Sequence, residues 1–325
     1  MRAIVLMPEG AVLMDVPKPS PKDDEVLVQI KAAACNQADL LILGGAAHGT
    51  FGKGGNKILG LEFAGVVVEV GSKVTRWKVG DRVMGSGNST FAEYVVPNRE
   101  MYALPDQVPF TQGTTMPIAM QTMHNALLAN AGLTAGQTCL FNGAGSAVGL
   151  MGMQIAKAKG AGKVIGTSNS PEKCKKLLEC GADVAVNTND KDWADQVLAA
   201  SDGEGVDIVV DFLAGPYVND ELRVTKVGGC FLNIGRLAGE QGQMDFNLHN
   251  MRCIKYIGSS FRMRSRQQID AIVSNASNDM APALAAGELK MPVDSIYPLE
   301  KTAEALDRMS KNLHFGKIVI TVDEG

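Results

Sequence analysis

The run Thr138-Cys-Leu-Phe-Asn-Gly-Ala-Gly-Ser-Ala-Val-Gly149 decides how the rest of the chain is read. Cys139, Leu140 and Phe141 make a short apolar run that fits a buried strand, and glycines follow at 143, 145 and 149. Beyond them, residues 150–160 have helical spacing and good helix formers: Leu150, Met151, Met153, Ile155, Ala156, Lys157 and Ala158. Strand, glycine turn and helix open a βαβ unit of the dinucleotide-binding kind. Missing side chains let the backbone turn tightly and approach a pyrophosphate, whose charge is favoured at the helix N-terminus. The candidates to receive it are Gly145 and Gly149 with the N–H groups of Ser146, Ala147 and Val148. The spacing is G-x-G-x-x-x-G rather than the commoner G-x-G-x-x-G, so this stretch alone also fits a strand-to-helix turn without a ligand.

The chain has 325 residues, too many for one ordinary core, and points to two domains. Hydrophobic residues at 46% with charged residues at 20% belong to a soluble globular protein. A net charge of −4 gives no electrostatic footprint for nucleic acid. No apolar run reaches the roughly 20 residues that span a bilayer, and the N-terminus lacks a signal-peptide pattern. Six cysteines, at 35, 139, 174, 180, 230 and 253, contain no C-x-x-C and read as reduced thiols of a cytoplasmic protein.

The first hundred residues read as all-β. Strands are expected over 3–7, 12–16, 26–34, 58–70, 74–84, 91–97 and 101–104, with one or two helical turns over 36–44. Prolines 17, 19 and 21 break the early strands, and glycines 60, 65, 71 and 80 imply bulges and close backbone approach in a rolled sheet. The glycine-rich loop 45–56 is expected to be mobile and near a site. From residue 110 the texture changes. A helical stretch over 111–130, interrupted at Pro117, carries Met116, Met120, Met123 and Leu127 as core. After the glycine turn, strands (164–167, 184–187, 206–212, 230–234, 256–261) alternate with helices (171–180, 193–200, 217–226), the pattern of a doubly wound parallel sheet. The tail from about 266 holds two helical patterns. It ends on a strand over 317–322, which cannot stand alone and should return to the first domain's sheet.

The second strand after the turn ends Gly166-Thr-Ser168-Asn169-Ser170, without the acid that would bind a ribose 2′-OH. Ser168, Asn169 and the nearby Lys173 suit a 2′-phosphate instead, and so NADPH. Gly235, Arg236 and Leu237 follow a strand at the carboxyl edge of the sheet, where ligands bind. Phe261 and Arg262 follow the last strand of the doubly wound sheet and are assigned to the nicotinamide end. His48, His124, His249 and His314 show no metal or triad spacing.

Over its whole length the chain resembles the zinc-independent quinone oxidoreductase branch of the medium-chain dehydrogenase/reductase superfamily. The matching motifs are Asn36-Gln-Ala-Asp39, Ile58-Leu-Gly-Leu-Glu62-Phe-Ala-Gly65, Trp77-Lys-Val-Gly80-Asp81-Arg-Val83, Phe91-Ala-Glu93-Tyr94-Val95, the glycine turn and His314-Phe-Gly316-Lys317-Ile-Val319. The resemblance implies an α/β protein with a GroES-like β-barrel catalytic domain (1–118 and 267–325) around a Rossmann NADPH-binding domain (119–266). Its active site would lie in the cleft between the domains. Zinc-dependent members carry a Cys where Asn36 stands and a His where Leu61 stands, so no metal is expected. The same resemblance assigns Lys173 and Lys317 to the cofactor, with Thr188 where a tyrosine often helps. It puts Asn36 beside the nicotinamide and Asp39 in the adjoining wall as the catalytic-domain residues. Leu41 stands where many quinone reductases have a tyrosine, so no strong general acid is visible. Relatives pair through the edge strand at 256–261, which implies a homodimer.

The leading reading is hydride transfer from NADPH to a small-molecule quinone. An enoyl reductase acting on α,β-unsaturated ketones, aldehydes or thioesters would use the same fold and hydride. An NADPH-binding structural or RNA-binding protein is the reading from a different class, and the charge balance argues against RNA.

Overall fold

A computed structural model describes residues 1–45 and 57–322. The expectation for the loop 45–56 therefore lies, beyond Gly45, outside the described residues. In chain order the strands begin with β1 (Arg2–Met7), β2 (Gly10–Asp15) and β3 (Val26–Ala34), followed by helix α1 (Gln37–Leu43). Next come β4 (Glu62–Val70), β5 (Arg82–Ser86), β6 (Tyr94–Val95), β7 (Met101–Ala103), α2 (Phe110–Gly113) and α3 (Pro117–His124), which runs on as a π-helical turn over Asn125–Asn130. The glycine region contributes β8 (Thr138–Asn142) and α4 (Ala147–Ala158). After it follow β9 (Lys163–Ser168), α5 (Pro171–Glu179), β10 (Val184–Asn187), α6 (Trp193–Ala200) and β11 (Val206–Asp211). Then come α7 (Val218–Val224), β12 (Thr225–Asn233), α8 (Phe246–Met251) and β13 (Lys255–Gly258). The tail is α9 (Arg266–Ala285), β14 (Val293–Pro298), α10 (Thr302–Ser310) and β15 (Lys317–Thr321).

The chain divides into two compact units, one of Met1–Ile118, Arg262–Ala286 and Lys290–Gly325, the other of Ala119–Phe261 and Gly287–Leu289. Among the described residues no helix is long and apolar enough to cross a membrane.

The second unit is built on a six-stranded parallel sheet in the order β10-β9-β8-β11-β12-β13. Its strands are short and apolar because helices cover them, and Leu140, Ile165, Val209 and Phe231 pack into one core. Each such side chain, fully buried, contributes about 1.5–3 kcal/mol. This is the expected doubly wound α/β architecture. β13 lies at the sheet's edge as expected, but it spans 255–258 rather than 256–261. β12 starts five residues earlier than expected, at Thr225.

The first unit carries a seven-stranded sheet, β14-β15-β3-β4-β5-β7 with β6 paired to β3. The tail strand does return to it, with Val319 opposite Ala34 in antiparallel register. Ile30, Phe63, Val67, Val83, Ile318 and Ile320 form its core. Gly65 shows why β4 needs glycine: a Cβ there would stand 2.1 Å from the Gln29 carbonyl oxygen on β3. The expected strand over 74–84 forms only from Arg82. Asp81 accepts the Lys78 N–H at 2.9 Å and closes a turn, and a side chain that bonds its own backbone competes with strand pairing. Likewise the strand over 91–97 contracts to Tyr94–Val95. β14 and α8 were not expected at all. β14, Val-Asp-Ser-Ile-Tyr-Pro, is only half buried and lacks an apolar run.

Candidate functional site

In the second unit the glycine turn leaves β8 at Gly143, whose φ of +82° is the left-handed region that glycine enters without strain. Its N–H donates to Thr167 Oγ1 at 3.0 Å, and the Ala144 N–H donates to the Thr167 carbonyl at 2.9 Å, tying the turn to the end of β9. Ser146 caps α4, its hydroxyl accepting the Gly149 N–H at 3.1 Å. Gly149 is demanded by packing: a Cβ there would sit 2.6 Å from the Ala144 carbonyl oxygen. Gly145 is different. A Cβ there would meet only Lys173 Cδ, at 3.7 Å. The fold has no need of glycine at 145, so the open space above it fits a ligand's close approach, and Lys173 flanks that space.

Around this turn lie most of the other expected cofactor residues. Ser168 ends β9; its hydroxyl accepts the Ser170 N–H at 3.3 Å and its carbonyl the Thr188 N–H at 2.9 Å. Asn169 is exposed, its carbonyl held by Asn189 Nδ2 at 2.7 Å. Lys173 is half-buried on the first turn of α5, its N–H on the Ser170 cap. Beyond β12, Gly235 donates to the Asp211 carbonyl at 3.1 Å and Leu237 to the Phe212 carbonyl at 3.0 Å, which leaves the Arg236 and Leu237 side chains exposed at the carboxyl edge. Phe261 follows β13 in the same unit. Arg262, Lys317, Asn36 and Asp39 belong to the first unit.

There the carboxyl end of β3, the start of α1, the start of β4 and the start of β15 converge on a buried polar cluster. Lys317, 3% exposed, donates from Nζ to Asn36 Oδ1 at 2.6 Å, to the Cys35 carbonyl at 3.3 Å and to Glu62 Oε1. Glu62 is fully buried and also accepts Asn36 Nδ2 on Oε1 at 2.8 Å and the Ile118 N–H on Oε2 at 3.1 Å. Asn36 spends its second amide hydrogen on the Ala34 carbonyl, at 3.2 Å. Asp39 accepts the Asn36 backbone N–H at 2.8 Å on one oxygen, and the Gly60 backbone N–H also acts on the carboxylate. Burial pushes the Asp39 carboxyl up to about 7, against the pull of the Asn36 N–H and the Lys317 charge. Two residues assigned to catalysis and one assigned to the cofactor thus share one network. Its centre is Glu62, the last residue of the motif Gly60-Leu-Glu62, to which the sequence alone assigns no role.

The donor set does not suit a metal. Among the described residues no group of three or more His, Cys, Asp or Glu side chains gathers. At the position that matters, Glu62 and the Asn36 amide oxygen are already bonded to an ammonium group.

A family model described as "Alcohol dehydrogenase GroES-like domain" matches residues 22–106, and one described as "Zinc-binding dehydrogenase" matches 147–278. The quinone oxidoreductase of Sus scrofa is 30% identical over 303 residues, covering 90% of this chain and 87% of that one. The chain belongs to the medium-chain dehydrogenase/reductase superfamily. A quinone oxidoreductase structure from Pseudomonas syringae pv. Tomato DC3000 superposes on this superfamily member with a TM-score of 0.83, 27% identity and 99% of both chains covered. The structure of an NAD-dependent alcohol dehydrogenase gives a TM-score of 0.85 at 28% identity, covering 99% of this chain and all of that one. Superfamily members bind a nicotinamide cofactor, and the chain is accordingly an oxidoreductase.

Proposed function

We propose that the chain reduces quinones with hydride from NADPH and without zinc, as a cytoplasmic homodimer. The observation that carries this reading is the Lys317–Glu62–Asn36 cluster. Among the described residues it leaves no side-chain set to hold a Lewis-acid metal, so the acceptor must bring its own activation. A quinone does so, since its conjugated carbonyls absorb the charge that hydride delivers. A saturated ketone does not, because its developing alkoxide needs a metal or a strong donor. Conjugated enones share the required electronics, which keeps enoyl reduction as the second reading.

Bound NADPH would supply the hydride. The residues that would hold it are Gly145 to Gly149 at the pyrophosphate, Ser168, Asn169, Lys173 and Thr188 at the 2′-phosphate, and Gly235, Arg236, Leu237, Phe261, Arg262 and Lys317 elsewhere along it. Lys173 supports the preference for NADPH, because its stem lies beside the open Gly145 position and β9 ends without an acid. Asn36 and Asp39 act as wall residues that position the reacting groups. Both Asn36 amide hydrogens are already donated within the protein, so its role is to hold shape rather than to protonate. The strand β13, which lies at the edge of its sheet among the described residues, supports pairing with a second copy.

The test follows NADPH absorbance with 1,4-benzoquinone, an enone and a saturated ketone. Reduction of the quinone or enone is expected. Rapid reduction of the ketone alone would overturn the reaction class.

A further inference from the structure

Beneath the glycine turn, polar side chains run across the carboxyl ends of four neighbouring strands: Thr167 on β9, Asn142 on β8, Asp211 on β11 and Asn233 on β12. Glu221 reaches them from α7. Thr167, Asn142, Asp211 and Glu221 are all fully buried. The direction of each bond can be read. The Gly143 N–H donates to Thr167 Oγ1 (3.0 Å), the Thr167 hydroxyl to Asn142 Oδ1 (2.5 Å), and Asn142 Nδ2 to Glu221 Oε1 (2.7 Å). At the far end Asp211 accepts three N–H groups, from Leu213 (2.7 Å), Ala214 (2.8 Å) and Asn233 Nδ2 (3.0 Å).

One atom is left over. Among the described residues the buried Glu221 Oε2 meets no N–H or hydroxyl donor, and the carboxylate acting on Glu221 is that of Asp211, which stands opposite Asn142 in the strand register. Two carboxylates in contact away from water cannot both be ionised, so a proton lies between them. Asp211, with three donors aimed at it, is the ionised partner. The proton therefore belongs to Glu221 Oε2, which donates it to Asp211.

We infer that Glu221 is a neutral acid at physiological pH and a positioning residue for the cofactor: its proton holds the dinucleotide-binding edge together, and losing it weakens binding. The second half of this inference rests on reading the turn as a nicotinamide dinucleotide cradle. The chain from Glu221 ends on the N–H of Gly143, the first residue of that turn. Its partner Asp211 fixes Leu213, and a Cβ at Gly143 would lie 2.7 Å from Leu213 Cδ2, so both sides of the turn depend on the pair. Ionising Glu221 sets two negative charges against each other under the place where a diphosphate would sit. Burial pushes the Glu221 carboxyl well above the usual range, and the Asp211 charge adds to this. Burial also pushes Asp211 upward, against the donors it accepts. The other charged or titratable groups facing the pair are Asp220 on α7, the Tyr256 phenol on β13, which stacks on Phe231, and Arg236 beyond β12, which acts on Tyr256. Asp220 also favours keeping the proton.

Glu221→Gln separates the parts of this inference. A glutamine accepts from Asn142 and donates to Asp211 as the acid does, but it cannot ionise. Infrared difference spectra of the ligand-free protein should contain the carbonyl stretch of a buried carboxylic acid, lost in Glu221→Gln; finding no such band would overturn the proposal. Dissociation constants for NADH and NADPH are then measured from about pH 6 to about pH 10, a range that lies above the ordinary glutamate value. NADH has no 2′-phosphate and so no ionisation near 6 to confuse the profile. In the parent protein both constants should rise by up to about tenfold per pH unit above the Glu221 ionisation, while Glu221→Gln stays flat. Parallel profiles in parent and variant would overturn the positioning role while leaving the cofactor reading standing. Failure of either cofactor to bind at any pH would overturn the cofactor reading and the coupling with it, and the infrared band would still report on the proton.

Discussion

Replacing Lys317 with methionine keeps most of the stem's volume and removes the ammonium group. Glu62 would then be buried with only the Asn36 amide, at 2.8 Å, and the Ile118 N–H, at 3.1 Å, to hold its charge. Opposite unit charges about 3 Å apart at an effective dielectric of about 20 attract by about 5 kcal/mol. Removing one partner of a buried pair costs about 3–5 kcal/mol in practice. Lys317→Met is therefore expected to destabilise the first unit by about 3–5 kcal/mol at neutral pH. The double variant Lys317→Met/Glu62→Gln leaves no lone charge and should recover at least about 2 kcal/mol of the summed single losses. The assay is urea unfolding followed by tryptophan fluorescence. The protein has two tryptophans, Trp77 in the first unit and Trp193 in the second, so a Trp193→Phe background reports the first unit alone. A loss below about 1 kcal/mol for Lys317→Met, or strict additivity in the double variant, would refute the argument that this pair holds the cluster.

Three further outcomes follow from the geometry. Gly145→Ala should leave the unfolding midpoint unchanged and weaken cofactor binding, whereas Gly149→Ala should destabilise the fold; calorimetry with cofactor titration separates them, and unchanged affinity in Gly145→Ala would remove the cradle reading. Lys173→Ala should weaken NADPH by roughly tenfold or more, since a charge-assisted contact is worth about 1.5–3 kcal/mol, and leave NADH nearly unchanged; equal NADPH and NADH affinities in the parent protein would contradict this. Asp39, raised from 3.8 to about 7, binds its proton more tightly folded than unfolded, so its contribution to stability is complete below 3.8 and is lost as pH rises towards about 7. At about 1.4 kcal/mol per unit the loss is at most about 4 kcal/mol, and Asp39→Asn should flatten the stability profile over that window; an unchanged profile would contradict the shift.

The glycine turn was legible because its demand is local: a tight reversal and a close approach leave glycine as the only residue that fits. The parallel sheet was legible because apolar runs and helical runs alternate. The centre of each polar network was not. Lys317 and Glu62 stand 255 positions apart, and no period or spacing joins them. Lys317 read as a cofactor residue through family likeness, while its contacts within the first unit are to Glu62, Asn36 and Cys35. Glu221 carries no signal in the sequence, and only the fold reveals that it is turned inward beside Asp211. Over 74–81 the valines favour a strand, but the capping carboxylate of Asp81 turns the backbone instead. β14 is the opposite case, since its polar residues hide a strand that needs burial on only part of its surface.

The position of β15 has a consequence for how the protein is made. Its neighbours in the sheet are β14, almost as late in the chain, and β3, which leaves the ribosome early. During synthesis the early strands must wait, with Glu62 bound for the interior and its counter-charge not yet translated. The second unit meets no such delay, because nearly all of it is one continuous segment, Ala119–Phe261. Domains fold as units as they emerge, so the parallel sheet can close while the first unit still lacks its last strands. Lys317 then works as a closing pin whose arrival sets the moment at which the first unit can seal. Slowing translation between β13 and β15 would lengthen the life of a chain whose second unit is closed and whose first is still open, an interval in which apolar surface stays exposed.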